Sequence, residues 1–241
     1  MENPLEHFQL HPLIPLHLFG FDISINIAVI MMWLVVAGVS LFLIMGGRRR
    51  LLVPTKLQSA AEVAVDFLRQ ITLETIGPKG PAFLPFLATL FFFILFANLI
   101  GLIPGAYTAT SQVMVTAVFA LSVYLISLIV GFRYHGLHYL TIYAPPGVPG
   151  WLLPLMIPIE IVSQLARPVT LAVRLFANMT AGHTIIAVFF GLMLAGGLLI
   201  GWLPFAGAVA IYLLEVMVAF IQAYIFFMFA CVYIGEAIHL H

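Results

Sequence analysis

Charge is what this sequence has least of. Only 7% of its 241 residues are Asp, Glu, Lys or Arg, and 63% are hydrophobic, whereas a soluble domain carries about 25% charged residues. Mean hydropathy is +1.17. So few charges cannot cover a water-facing surface, and the chain reads as a polytopic membrane protein. Nine basic and nine acidic residues cancel to a formal net charge of zero, which gives no general attraction to nucleic acid. Cys231 is the single cysteine, so an internal disulfide and a multi-cysteine metal site are excluded. No Walker-type phosphate loop is present, and nucleotide binding by this chain is not expected. The N-terminus, MENPLEHFQLHPLIPLHLFG, lacks a basic n-region and a small-residue cleavage site, so the first span is expected to stay in the mature protein. There is no transporter-type repeat, no low-complexity linker and no soluble domain. The expectation is one membrane domain over 1–241.

Long apolar runs are what is there. A span needs about 20 apolar residues. The expected fold is all-α and polytopic, with about five membrane helices, one amphipathic surface helix and a long tilted C-terminal helical hairpin. The first span is placed at 23–45, the next two as a hairpin over 83–132, and the long hairpin over 151–234. At about 1.5 Å per residue, a forty-residue helix is about 60 Å long, twice the hydrocarbon thickness. Such a helix must tilt, break or lie partly along the membrane. Pro154, Pro158 and Pro168 mark expected kinks, and the glycines after Leu194 mark a turn near 195–204.

Between 55 and 77 the pattern changes. Leu57, Ala60, Ala61, Ala64, Phe67, Leu68 and Ile71 draw one helical stripe, with Glu62, Asp66 and Arg69 opposite. Thr55 and Gln58 fit a capping box. This is an amphipathic helix on the membrane surface or against a partner. Arg48, Arg49, Arg50, Lys56, Arg69, Lys79 and Arg133 all fall on one side if there are five spans, and the positive-inside rule makes that side cytoplasmic. The N-terminus is then periplasmic.

Four carboxylates and guanidinia remain inside the long hairpin: Glu160, Arg167, Arg174 and Glu215. Each costs about 2.5–3.5 kcal/mol on insertion scales, so by default such groups mark an ion path. At about 100° per residue, Glu160, Arg167, Arg174 and Asn178 share one stripe about 27 Å long, with Ser163 and Gln164 near it. On the last helix Glu215, Gln222 and Tyr233 share another, with Glu236 some 60° away. Plainer roles stay open for several of these. Arg167 can snorkel, Glu160 can pair with Arg167, Asn178 and Gln222 can join helices by hydrogen bonds, and a lone His183 can be a satisfied polar residue. Arg174 is different. It stays protonated at any accessible pH, so it serves as a fixed positive charge that favours loss of a proton from a nearby carboxylate and repels migrating protons. No acid stands beside it in its own segment, and another subunit is one possible source of the carboxylate. Paired histidines at 135 and 138, and at 239 and 241, are weak metal signals. His7, His11 and His17 read as interfacial.

RLFANMTAGH (174–183), preceded by LARPVTLAV and followed by LLEVMVAFIQAYIFFMFACVYI, with LFANLIGLIPG at 95–105, resembles subunit a of F-type ATP synthases. The resemblance covers nearly the whole chain. It implies an essential arginine at Arg174, an amide at Asn178, Gln222 facing it from the last helix, a His/acid pair at His183 and Glu215, and an exit-side carboxylate at Glu160. The order of that pair is the reverse of many bacterial relatives and matches mitochondrial and alphaproteobacterial versions. The implied protein is a non-catalytic, proton-translocating stator subunit without cofactor or metal. Its implied partners are a c-subunit ring, peripheral-stalk b subunits, other ATP synthase subunits, the lipid bilayer and protons. The expected location is a bacterial inner (plasma) membrane, with the mitochondrial inner membrane as second choice. A secondary transporter and a non-conducting scaffold are the rival readings.

Overall fold

The computed structural model describes residues 12–14, 17–18, 21–22, 24–47, 55–103, 108–143 and 151–239. Arg48, Arg49, Arg50, His7, His11, His241 and the Pro104–Gly105 end of the LFANLIGLIPG run lie outside them. Six helices follow one another: α1 (Ile27–Gly47), α2 (Lys56–Ile76), α3 (Leu84–Gly101), α4 (Val113–His135), α5 (Leu153–Ile200) and α6 (Trp202–Ile238). All but α2 are long and apolar enough to cross a membrane. The all-α polytopic reading with a surface helix therefore holds. Ahead of α1 lie two short antiparallel pairs, β1 (Pro12–Ile14) with β4 (Ile25–Asn26) and β2 (His17–Leu18) with β3 (Phe21–Asp22). Sequence reasoning missed them, although glycine between short apolar runs is a hairpin signal.

Helix α6 is the hub, packing against α2, α3, α4 and α5. Phe226, Phe227 and Ile234 on α6 are buried with Leu87 and Ile94 of α3, Leu68 of α2 and Leu175 of α5. Lipid tails are as apolar as these side chains, so close packing rather than water exclusion holds the helices together, and small residues let backbones approach. Ala219, Ala223, Ala230 and Gly235 are such residues on α6. A Cβ at Gly235 would stand 3.1 Å from the Thr75 carbonyl oxygen of α2.

Helix α2 starts as expected. Thr55 Oγ1 accepts from the Gln58 backbone N–H at 3.3 Å. The box closes only halfway, because the Gln58 amide turns instead to Glu62, 2.9 Å away. The expected apolar stripe is split. Ala61 and Leu68 face inward with Gln58, Thr72 and Ile76, whereas Leu57, Ala60 and Phe67 are exposed. In a membrane an outward apolar residue costs nothing, so the stripe does not mark the buried side. His239 Nε2 bonds the Ile76 carbonyl at 3.0 Å, and His135 Nε2 bonds the Ile238 carbonyl at 3.1 Å. These two histidines tie the ends of α2, α4 and α6 together.

Helix α5 has 48 residues, and its only non-helical residue is Gly197, at φ 57°. The chain turns there and at Gly201 into α6, inside the expected 195–204 window. Pro158 and Pro168 lie within α5 with no non-helical residue beside them. A membrane helix tolerates proline because neighbouring groups re-satisfy the freed backbone.

Candidate functional site

Two glycine contacts fix the register of α5 against α6. The carboxyl of Glu215 packs directly on Gly182, and a Cβ at Gly207 would stand 2.7 Å from the Phe189 ring. Moving back along α5 from Gly182 to Arg174 is matched by moving forward along α6 from Glu215 to Ala223, next to Gln222. Arg174 and Gln222 therefore lie at one level of the hairpin. A helical side chain leans toward its own N-terminus, and the Arg174 guanidinium accordingly lies over the Phe229 ring, 5.9 Å from its centroid. Arg174 and Asn178 are both exposed, whereas Gln222 is buried. Among the described residues the only ion pair is Arg167 with Glu236. Arg174 thus presents an uncompensated cation on the outer face of α5, amid exposed Val173 and Ala177.

One polar cluster lies beyond Arg174 toward the C-terminal half of α5, about 14 Å along the helix at His183. His183 Nε2 and Thr108 Oγ1 are 2.7 Å apart. Thr108 opens a 3₁₀ turn (Ala109–Ser111) in which Thr110 Oγ1 donates to Asn98 Oδ1 at 2.8 Å. Glu215 is buried, and neither of its carboxyl oxygens has a protein partner among the described residues; the Asn98 amide nitrogen is likewise unpartnered. A buried carboxyl with no salt bridge is costly, but no neighbouring charge locks its protonation state either. Such a group can take up and release a proton.

A second polar cluster lies on the other side of Arg174, about 10 Å away at Arg167 by helix rise. Arg167 donates to Glu236 at 3.0 Å and stacks over the Tyr233 ring at 5.9 Å. Glu160 accepts instead from Gln164 at 3.1 Å. Gln164, Glu236 and Tyr233 also line a small pocket with Tyr124, Ser127 and Tyr139. The alternative in which Glu160 pairs with Arg167 is not the one adopted. Arg167 reaches across to α6, where its acid sits on the facing helix.

Comparison with known proteins completes the picture. The family described as ATP synthase A chain matches residues 29–235. The chain belongs to the ATP synthase subunit a family. An ATP synthase subunit a of Magnetococcus marinus is 47% identical over 99% of this chain and 94% of its own length. That of Acidiphilium cryptum is 44% identical over 99% of this chain and 97% of its own length. That of Rhodospirillum rubrum is 38% identical with both chains covered in full, 100% each.

Of the residues singled out from sequence, Glu215 packs on Gly182, the chain neighbour of His183; Arg174 and Gln222 share a level, Asn178 stands one turn of α5 from Arg174 on the His183 side, and Glu160 lies about two turns before Arg167. Sequence reasoning missed Thr108, Asn98 and Glu236 as members of these clusters. Asn98 was findable, because it is the single amide in the run FFFILFANLIG, and a polar side chain in a span needs a partner. Thr108 carried no comparable signal.

Proposed function

We propose that this chain is the proton-conducting subunit a of an F-type ATP synthase, coupling proton flow to rotation of a c-subunit ring and so to ATP synthesis. The observation that carries this reading is the exposed, unpaired Arg174 on α5, flanked along the helix by two separate polar clusters. A single continuous channel would not need a fixed cation at its centre. Two half-channels, each ending at the rotor, do.

In this mechanism a proton enters from the periplasmic side through the cluster of Glu215 and His183, with Asn178 one turn further along α5 toward Arg174. It neutralises a c-subunit carboxylate, which can then face lipid without the cost of a buried charge. The ring turns. A carboxylate that arrives beside Arg174 is favoured in its ionised form and gives its proton to the second cluster, past Glu160, on the cytoplasmic side. Gln222, level with Arg174, offers an amide to hold the guanidinium or the arriving carboxylate. Arg174 cannot hand over a proton of its own, so it separates the clusters and blocks a leak. Each charge crossing 100 mV supplies about 2.3 kcal/mol, and several together drive ATP formation in the catalytic part of the complex. Lys56, Arg69, Lys79 and Arg133 belong to the end of the bundle where α2 lies, which supports a cytoplasmic assignment for that end and a periplasmic N-terminus. The b subunits of the peripheral stalk and the remaining synthase subunits hold the chain still against the ring.

Arg174→Ala and Arg174→Lys in the assembled complex test the proposal. Both should abolish ATP-driven proton pumping, the lysine variant because a desolvated ammonium can lose its proton where a guanidinium cannot. Normal pumping by either variant would reject the mechanism.

A further inference from the structure

The cluster beyond Arg174 contains a hydroxyl whose placement is built with care. Thr108 is 4% exposed, and its Oγ1 lies 2.7 Å from His183 Nε2, bridging 75 residues of sequence. Three features hold it there. Its own carbonyl accepts from the Ser111 hydroxyl at 2.7 Å. The turn it opens is tied to α3 through Thr110 and Asn98, both fully buried. Its side chain rests on Gly101 of α3, where any Cβ would collide with the threonine methyl and hydroxyl. A position that needs a bare glycine beneath it, an amide clamp beside it and an imidazole in front of it is not incidental packing.

We infer that Thr108 is a positioning residue for proton transfer, holding the His183 ring so that it can exchange protons with Glu215. This rests on the proton-conducting reading above. The chemistry favours a hydroxyl over other groups. A neutral imidazole nitrogen can accept from the threonine O–H, and a protonated one can donate to the threonine oxygen. The hydroxyl serves both states by rotating, so the ring need not turn when its charge changes. A carboxylate at this position would trap the imidazolium, and an apolar group would leave one ring nitrogen without a partner. With Nε2 held by the hydroxyl, Nδ1 is the nitrogen this inference assigns to the opposite exchange. The titratable group facing this site from α6 is Glu215, against Gly182. Tyr212, one turn earlier on α6, packs with Leu102 and Met179 nearby. Asn98, Thr108 and Thr110 contribute no charge.

The experiment compares Thr108→Val, Thr108→Ser and His183→Ala in membranes carrying the whole synthase. The readout is the rate of ATP synthesis driven by an imposed proton gradient, as a function of pH in the periplasm-facing compartment. Thr108→Val keeps the shape and removes the bond; it should slow synthesis by roughly three- to tenfold, the equivalent of one neutral hydrogen bond, and shift the pH profile. Thr108→Ser should restore both rate and profile. A Thr108→Val enzyme with the parental rate and profile overturns the inference. So does a Thr108→Val enzyme that is slow with an unshifted profile, or one whose defect serine does not repair, since each points to packing alone. If His183→Ala itself behaves as the parent, the histidine lies off the proton path, and it is the underlying assignment that fails.

Discussion

Gly182→Ala probes the tightest point between α5 and α6. The Glu215 carboxyl occupies the space a Cβ would fill, touching it through Oε1 and Cδ, with Cγ 3.1 Å away. Two effects on stability oppose each other. Alanine is better than glycine in a helix by about 1 kcal/mol, whereas inserting a methyl group into a packed contact costs about 1–3 kcal/mol. The net loss is at most about 2 kcal/mol, too little to prevent assembly with the rest of the synthase. The functional effect is larger. The carboxyl must retreat by an ångström or more, and a misplacement of that size costs about 100-fold in a reaction that depends on positioning. ATP-driven proton pumping in inverted vesicles should therefore fall by about two orders of magnitude, while the amount of assembled complex and its ATPase activity after release of the catalytic part stay near normal. Glu215→Asp in the same chain shortens the acid and should recover part of the rate. Pumping at the parental rate by the alanine variant would refute the argument that the carboxyl position matters.

Two further outcomes are expected. Glu215→Gln retains shape and removes the titratable proton, so ATP synthesis should slow and lose part of its pH dependence; an unchanged pH–rate profile would remove Glu215 from the path. Glu236→Gln breaks the Arg167 pair, whose side chains are 37% and 44% exposed. A pair that open to its surroundings contributes about 0–1 kcal/mol, so thermal denaturation of the purified complex should move little, and a large drop would show that the pair anchors the hairpin.

The sequence carried the spans, the surface helix, its Thr55 cap and the turn near Gly197, because each is a local pattern of hydropathy, capping or glycine. It also carried the stripe of Arg174 and Asn178, since one helix fixes the relative angles of its own residues. Partners across helices were not legible. Arg167 had an acid seven residues away on its own face, yet it pairs with Glu236 on α6, because tertiary register brings that carboxylate closer. His183 meets Thr108 through a turn whose position no periodicity encodes. Leu57 and Phe67 belong to the apolar stripe yet are exposed, since in a membrane facing lipid and facing protein both demand an apolar side chain. Pro158 and Pro168 sit inside α5 without breaking it, because neighbouring groups in a span relax the rule that holds for soluble helices.

The central claim is that the Arg174 face of α5 meets the rotor. Val173 is 50% exposed and Ala177 is exposed on the same surface, while the native Cys231 is fully buried and out of reach of a cross-link to another chain. Single cysteines at 173 or 177, paired with cysteines flanking the c-subunit carboxylate and oxidised in intact membranes, measure this contact directly. The account predicts a disulfide-linked a–c product that blocks rotation and re-forms activity on reduction. Efficient labelling of both positions by a lipid-phase thiol reagent, with no cross-link to the c subunit, would contradict it.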